Sequence, residues 1–495
     1  MTEVPKRKNV DYEEAIECTG FGKYNILLII ACGLSLLSSN IESYSIGYVL
    51  PSAECDLSLT TTTKGILTTA TFVGILISSL FWGYLSDKKG RRTLICKTLF
   101  MTFLASALSS FMPSFWGFVV LRFITGICIS GPSAIIFAYF SEFQNARTRS
   151  KCLAFISTFI AFALIYLPAL AWLLLSIDIN IDMGFVNFTS WRVFILINSA
   201  PAALGSLCIY FLPESPQYLY SQGKVDEALE VMKTMYVNNT NNSVNDFPIE
   251  NIQESNSQEK PRRVKNVMVE IFKQVTLCFN PSVLKYTLTA CLLQVGCFGL
   301  SSGLLLWYPD IINQLSKAGN ASLTVCEALG FEHDTKDAEV LCNLELNDNI
   351  YVQNLFIGLA YLMGYTSWSF VVKAMGNRMV FMTFMSISSL GAILICFISH
   401  KILIDVLFVA VLMLPGICVA VVAAMTVDLM PPSIAGMAIC LTMTAGRLGS
   451  ILTSSLVGLM LEFNCSMTFW LYSAILLVCI GLAFIFPKKS CDNLH

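Results

Sequence analysis

Three charged side chains fall inside stretches that are otherwise apolar: Glu42, Arg122 and Arg447. A charge at mid-bilayer depth costs roughly 2.5–3.5 kcal/mol on insertion scales, so each needs a partner, a proton or a ligand. Glu42 shares a helical face with Ser35, Ser38 and Ser45. Arg122, Gly126, Ser130 and Ser133 fall on another face, and Thr444, Arg447, Ser450 and Ser454 on a third. Gln294, Phe298, Ser301 and Tyr308 repeat the pattern, as do Asn354, Gly358, Tyr361 and Tyr365. Such stripes can bind a solute. Small polar residues on membrane helices also serve as packing surfaces, and packing is the simpler account of the Ser and Gly positions. Glu42 can act as a ligand, as a proton carrier, or as the ion-pair partner of Arg122 or Arg447.

The elements that carry these faces follow from composition. Of 495 residues, 55% are hydrophobic and 13% charged; a soluble chain of this length carries roughly twice that charge fraction. Mean hydropathy is +0.67. Apolar runs of about 20 residues recur, each able to cross a bilayer core of roughly 30 Å. Lipid offers the backbone no hydrogen bonds, so the runs must be helical. The net charge of −2 argues against nucleic-acid binding. The three His, at 333, 400 and 495, have no metal-ligand spacing. No P-loop or nucleophile–base constellation occurs, so neither a cofactor nor enzymatic activity is expected. The polar segment 1–23 lacks the pattern of a cleaved signal, so the first span is expected to act as an uncleaved anchor.

The expected fold is an all-α membrane protein of twelve spans, near 24–50, 65–85, 94–112, 115–139, 151–176, 192–212, 284–308, 350–374, 379–399, 403–426, 433–460 and 467–487. Two six-helix bundles, 24–212 and 284–487, are separated by a linker over 213–283 and flanked by tails at 1–23 and 488–495. Part of the linker, Gly223–Tyr236, has helical character, whereas Asn238–Glu259 has a disorder-prone composition. Lys and Arg gather on one side, and only Lys64, Arg192, Lys317, Lys336 and Lys401 fall on the other. This bias predicts that both termini are cytoplasmic.

Between spans 2 and 3 the chain reads Gly83-x-Leu85-x-Asp87-x-x-Gly90-Arg91-Arg92. Gly90 permits a left-handed turn, Asp87 can cap or pair, and the arginines can bridge to helix C-termini. The pattern resembles the signature loop of the major facilitator superfamily. Arg122-x-x-x-Gly126, Glu142 with Arg147, and Pro213-Glu214-Ser215-Pro216 follow in the order of that superfamily. Val49-Leu-Pro-Ser-Ala-Glu54 and Trp307-Tyr-Pro-Asp310 resemble the branch containing the synaptic vesicle glycoproteins and organic-ion transporters. The resemblance implies alternating access around a central cavity lined by spans 1, 4, 7 and 10. It implies that Gly83, Asp87, Gly90, Arg91, Glu142, Arg147 and Glu214 gate the cytoplasmic face by an ion-pair cluster.

The second half departs from that pattern. Gly376 and Arg378 lack an acidic neighbour, no arginine precedes Gly436, and span 12 ends in Pro487-Lys-Lys. The apolar text Pro415-Gly-Ile-Cys-Val-Ala-Val-Val in span 10 suits an amphiphilic or aromatic solute. Ser39 stands where the family often has a second acid, and Arg447 can equally favour anions.

The leading expectation is therefore a carrier of a small organic solute, with or without a coupling ion, binding through Glu42, Arg122, Gln294, Tyr361 and Arg447. The rival is a vesicle-membrane protein that acts through protein partners. Asn320-Ala-Ser is a glycosylation sequon in the outward loop, and Cys326 and Cys342 are the expected disulfide there.

Overall fold

In a computed structural model of the chain, the described residues are 10–177, 179–184, 186–252, 275–317, 324–327, 349–430 and 432–485. The apolar runs form twelve long helices. Spans 1–6 are Lys23–Ser52, Thr61–Lys89, Arg91–Ser110, Phe115–Ser141, Ala146–Leu175 and Ser190–Tyr210. Span 7 comprises Pro281–Phe298, a π-helical turn Gly299–Gly303, and Leu304–Lys317. Spans 8–12 are Asn349–Met375, Asn377–Ile395, Lys401–Leu429, Pro432–Phe463 and Cys465–Ala483. By length and composition, ten of these stretches can cross a bilayer, counted on the described residues. Large apolar side chains such as Phe155, Leu173, Phe211, Val478 and Leu452 face outward, as a helix surrounded by lipid requires.

Local chemistry sets the helix starts. Thr60 and Thr63 cap span 2 reciprocally, with Thr60 N donating to Thr63 Oγ1 at 2.7 Å. Ser114, Asn145 and Asn464 accept from the first turns of spans 4, 5 and 12. Gly90 and Gly376 begin spans 3 and 9 with φ of +93° and +79°, a backbone that favours glycine.

The packing repeats between the two halves. Span 1 packs on spans 5 and 6 as span 7 packs on 11 and 12. Span 3 packs on 4 and 6 as span 9 packs on 10 and 12, and the contact of spans 2 and 4 is matched by that of 8 and 10. Two pseudo-symmetric six-helix bundles result, and they meet along spans 1 and 7, 2 and 11, and 5 and 8. Below, the tail end is the end at which span 1 begins, and the far end is its opposite.

Three features differ from the sequence reading. Span 7 runs through Pro309 to Lys317, where a loop was expected from Pro309 onward. A short antiparallel hairpin, Asn180–Asp182 with Asn187–Thr189, joins spans 5 and 6. Part of the polar linker is also ordered. Helix Val225–Thr240 extends past Asn238, and Phe247, Ile249 and Ile252 bury against Tyr12, Ala15, Ile16 and Met232. Asn239 fastens this layer to span 1. It donates to Asn25 Oδ1 at 2.8 Å and accepts from Tyr24 N at 3.1 Å. A few apolar residues with a partner surface overcame the polar composition around them.

Candidate functional site

Glu42 in span 1 and Arg122 in span 4 form a fully buried ion pair, Arg122 Nη1 to Glu42 Oε2 at 3.1 Å. Span 3 completes it. Ser106 Oγ donates to Glu42 Oε2 at 2.9 Å, and Arg122 Nη2 donates to Ser106 Oγ at 2.9 Å and to Ser109 Oγ. The Phe118 ring lies beneath the guanidinium at 5.5 Å. Glu42 Oε1 and Arg122 Nε are buried without a hydrogen bond. Of the two expected partners of Glu42, the structure selects Arg122.

A small cleft lies between the bundles, lined by Ser39, Asn40, Ser43, Ile75, Ile129, Ser133 and Arg447. Spans 1, 2 and 4 supply six of these residues, and span 11 supplies Arg447. The Arg447 guanidinium stacks on Phe298 at 4.7 Å. The π-helical turn beside it brings span 7 against span 11. A Cβ on Gly299 would lie 2.9 Å from Gly449 O, and one on Gly303 2.8 Å from Thr453 Cβ. π turns often sit at functional sites. Here the turn aims Ser302 Oγ at Tyr44 Oη, 3.2 Å away on span 1.

Beyond the cavity, polar bonds join the bundles toward the far end. Lys64 Nζ of span 2 meets Asp310 Oδ1 of span 7 at 3.2 Å and Glu54 Oε2 at 3.1 Å. Tyr48 Oη donates to Asn354 Oδ1 of span 8 at 3.1 Å. Spans 1 and 7 touch so closely that a Cβ on Gly47 would lie 2.8 Å from Leu306 O. Sequence reasoning missed this lock. The signals were Lys64, isolated in a segment poor in cations, and the acid that ends Trp307-Tyr-Pro-Asp310.

The expected gating residues assemble at the tail end, within the first bundle and the segment after it. Arg91 Nη2 meets Glu142 Oε1 at 2.7 Å. Glu214 Oε1 accepts from Arg91 N and Arg92 N, both at 2.9 Å, and so caps span 3. Ser215 Oγ donates to Glu142 Oε2, and Tyr139 Oη donates to Pro213 O at 2.7 Å. Tyr12 Oη donates to Glu142 O at 3.3 Å. Burial, with Glu142 and Glu13 nearby, pushes the Tyr12 phenol well above its usual range, so it stays a donor. These bonds tie the first bundle to itself. Gly83 has open space around it. The side chains of Asp87 and Arg147 lie outside the described residues.

Gln294 and Tyr361 turn into the second bundle. Gln294 Nε2 donates to Val419 O at 3.2 Å. Tyr361 Oη donates to Leu412 O at 2.7 Å and pairs with Ser301 Oγ at 2.9 Å. The expected disulfide is corrected: Cys326 bonds Cys465 at the start of span 12, with a Cα–Cα distance of 5.3 Å. Pairing within one loop looked simpler from sequence, but the fold returns span 12 to the same surface. Cys342 and Asn320 lie outside the described residues.

Twelve helices in two matched bundles around a central cavity define a multi-pass membrane protein of the major facilitator fold. The profile of the family described as "Sugar (and other) transporter" matches residues 22–319. The chain belongs to that family. It is 32% identical over 327 residues to synaptic vesicle glycoprotein 2B of Mus musculus, covering 61% of this chain and 47% of that protein. It is 29% identical over 386 residues to human synaptic vesicle glycoprotein 2C, covering 71% and 51%. The chain thus spans about half the length of the curated relatives it matches. Among solved structures, the xylose transporter XylE from E. coli in a partially occluded inward open conformation matches with a TM-score of 0.68 and 15% identity. That match covers 94% of this chain and all of the other.

Proposed function

We propose that the chain carries a small organic solute across a membrane by alternating access between bundles 24–212 and 284–487. The observation that carries this reading is the cavity between the bundles, lined from both, with the Lys64–Asp310 lock beyond it. The inter-bundle bonds of Lys64, Tyr48 and Tyr44 are mutually consistent with a state closed at the far end. In this reading both termini are cytoplasmic, as the Lys and Arg distribution favours. The solute then leaves or arrives from the tail end. Rocking the bundles breaks the Lys64–Asp310 lock and repacks the tail-end cluster of Gly90, Arg91, Glu142 and Glu214.

Glu42 serves as the coupling group. Its Oε1 is buried without a hydrogen bond, so a proton can settle there while Ser106 and Arg122 hold Oε2. Protonation weakens the hold on Arg122 and so links proton uptake to a shift of span 4 against span 1. Arg447 contacts the solute, and Gln294 and Tyr361 keep the second half of the cavity in shape.

The decisive experiment is counterflow in proteoliposomes. Saturable uptake, accelerated by solute preloaded on the far side, is expected; purified protein that gives only linear leak for every solute class rejects the carrier reading. A second reading has its own support in the likeness to synaptic vesicle glycoproteins. It is a vesicle-membrane protein that acts through the ordered layer of residues 10–22 and 216–252.

A further inference from the structure

The hydrogen bonds around the Glu42–Arg122 pair are incomplete on one side. Glu42 Oε1 and Arg122 Nε are buried without a hydrogen bond, and so are both polar atoms of the Asn198 side chain in span 6. Asn198 is 1% exposed, as is Glu42. A buried amide with neither its donor nor its acceptor served is costly, because apolar neighbours offer nothing in exchange for water.

Helix register brings these atoms to one place. Spans 1 and 3 run from the tail end to the far end, and span 6 runs back. A Cβ on Gly205 of span 6 would lie 3.5 Å from Ser35 Cα of span 1 and 3.6 Å from Leu99 Cδ1 of span 3. Seven residues on (205 to 198, 35 to 42, 99 to 106), nearly two turns along the same helix faces, come Asn198, Glu42 and Ser106. Past that level the same spans touch again. Phe194 packs on Tyr48 with ring centroids 6.2 Å apart, and Arg192 donates to Ser110 O at 3.0 Å. Asn198 is thus bracketed on both sides by contacts to spans 1 and 3, at the level where Ser106 donates to Glu42 Oε2.

The ionisable side chains in electrostatic reach of Glu42 are Arg122 and, from span 5, Tyr166. Arg122 already balances the carboxylate, so a metal cation here would face a guanidinium. A water fits better. Buried waters make about three hydrogen bonds to polar groups that otherwise have none. Here it would donate to Glu42 Oε1 and Asn198 Oδ1 and accept from Asn198 Nδ2.

We infer that Asn198 and Glu42 Oε1 hold one internal water between spans 1, 3 and 6, and that Asn198 is thereby a positioning residue for the proton on Glu42. This rests on the coupling role assigned to Glu42. While Glu42 is a carboxylate, the water donates to Oε1. When a proton from bulk solvent settles on Oε1, the new O–H donates to the water, which turns its own O–H toward Asn198 Oδ1. The amide has one donor side and one acceptor side, so it serves both states.

The test is infrared difference spectroscopy on the full chain in lipid nanodiscs as pH is lowered. The band of protonated Glu42 is the carboxyl band that Glu42→Gln removes, and the internal water is the O–H band that shifts in heavy-oxygen water. Asn198→Leu, close to Asn in size, is expected to move the Glu42 band to higher frequency and to abolish the water band. Asn198→Ser, which keeps a donor and an acceptor, should retain both bands near their original places. An unmoved Glu42 band in Asn198→Leu overturns the inference, as does a water band that survives in that variant or is missing from the original chain. A Tm raised by sodium chloride over choline chloride, and lost in Asn198→Leu, points to a bound cation and also overturns it. Should Asn198→Leu not fold, Asn198→Val reads the same bands. Both bands behaving as expected beside pH-independent uptake rejects Glu42 as the coupling group and leaves the water site standing. Uptake whose pH dependence needs Glu42, with bands indifferent to Asn198, does the reverse.

Discussion

Lys64 Nζ and Asp310 Oδ1 stand 3.2 Å apart, with their side chains 7% and 5% exposed, and they join residues that are 246 positions apart in two different bundles. Replacing Lys64 leaves Asp310 buried without its cation, which costs about 3–5 kcal/mol of the closed state, whereas replacing Asp310 leaves Lys64 with Glu54 and costs less. Replacing both by neutral groups costs far less. Lys64→Gln and Asp310→Asn are each expected to speed labelling of a Ser302→Cys probe by an impermeant maleimide at the far end. The double variant should fall short of the sum of the two. Strict additivity in a double-mutant cycle removes the coupling.

Glu42→Gln keeps the shape and the bond from Ser106 but removes the charge that faces Arg122. Acid-stimulated uptake is expected to lose its pH dependence, while counterflow, which needs no net proton movement, persists. Surface expression should hold. An unchanged pH profile in this variant takes Glu42 out of the coupling step.

Gly90 and Gly376 occupy matching turns, yet only one is crowded. A Cβ on Gly90 would meet Glu214 Oε2 at 2.4 Å, whereas Gly376 has open space. Both have positive φ, so Ala strains both, by about 1 kcal/mol or more. Gly90→Ala should lower Tm further, because it also displaces the Glu214 cap on span 3. Equal losses at the two sites would show that the cap contributes little.

The Cys326–Cys465 bond closes a sequence separation of 139 residues. For loops of that order the chain-entropy model gives about 4–5 kcal/mol. Cys326→Ser, Cys465→Ser and the double variant should lower Tm by the same amount. A double variant well below either single variant points to a role beyond the bond.

The twelve spans were legible because lipid leaves apolar runs only one backbone solution. Glu42 and Arg122 stood out for the same reason, and their meeting followed from spans 1 and 4 facing each other. The direction of Gln294 and Tyr361 was not legible. Both lie on polar stripes, and a stripe does not say whether it faces the cavity or a neighbour in its own bundle. Lys64 and Asp310 were overlooked because Lys64 sits in the first turn of its helix and Asp310 fell just past the expected end of span 7, where a charge is cheap and attracts no notice. The ordered layer around Phe247 and Ile252 was hidden by its Asn-rich surroundings. Three apolar residues, Phe247, Ile249 and Ile252, too irregular in spacing to register as a helix or strand, were enough to hold it.

That layer reaches across the chain's midpoint. Val10 bridges to Ile252, and Asn239 grips the start of span 1. Every contact described for residues 216–252 is with the first half, and the second half resumes at 275. A division after 252 keeps the described contacts of that layer on one piece. The natural severing point is therefore not after span 6, where hydropathy alone would put it, but some forty residues later. Two polypeptides divided there, made together in one cell, are expected to find each other and rebuild the intact molecule, whereas a division at 213 strands a folded cap on the wrong piece.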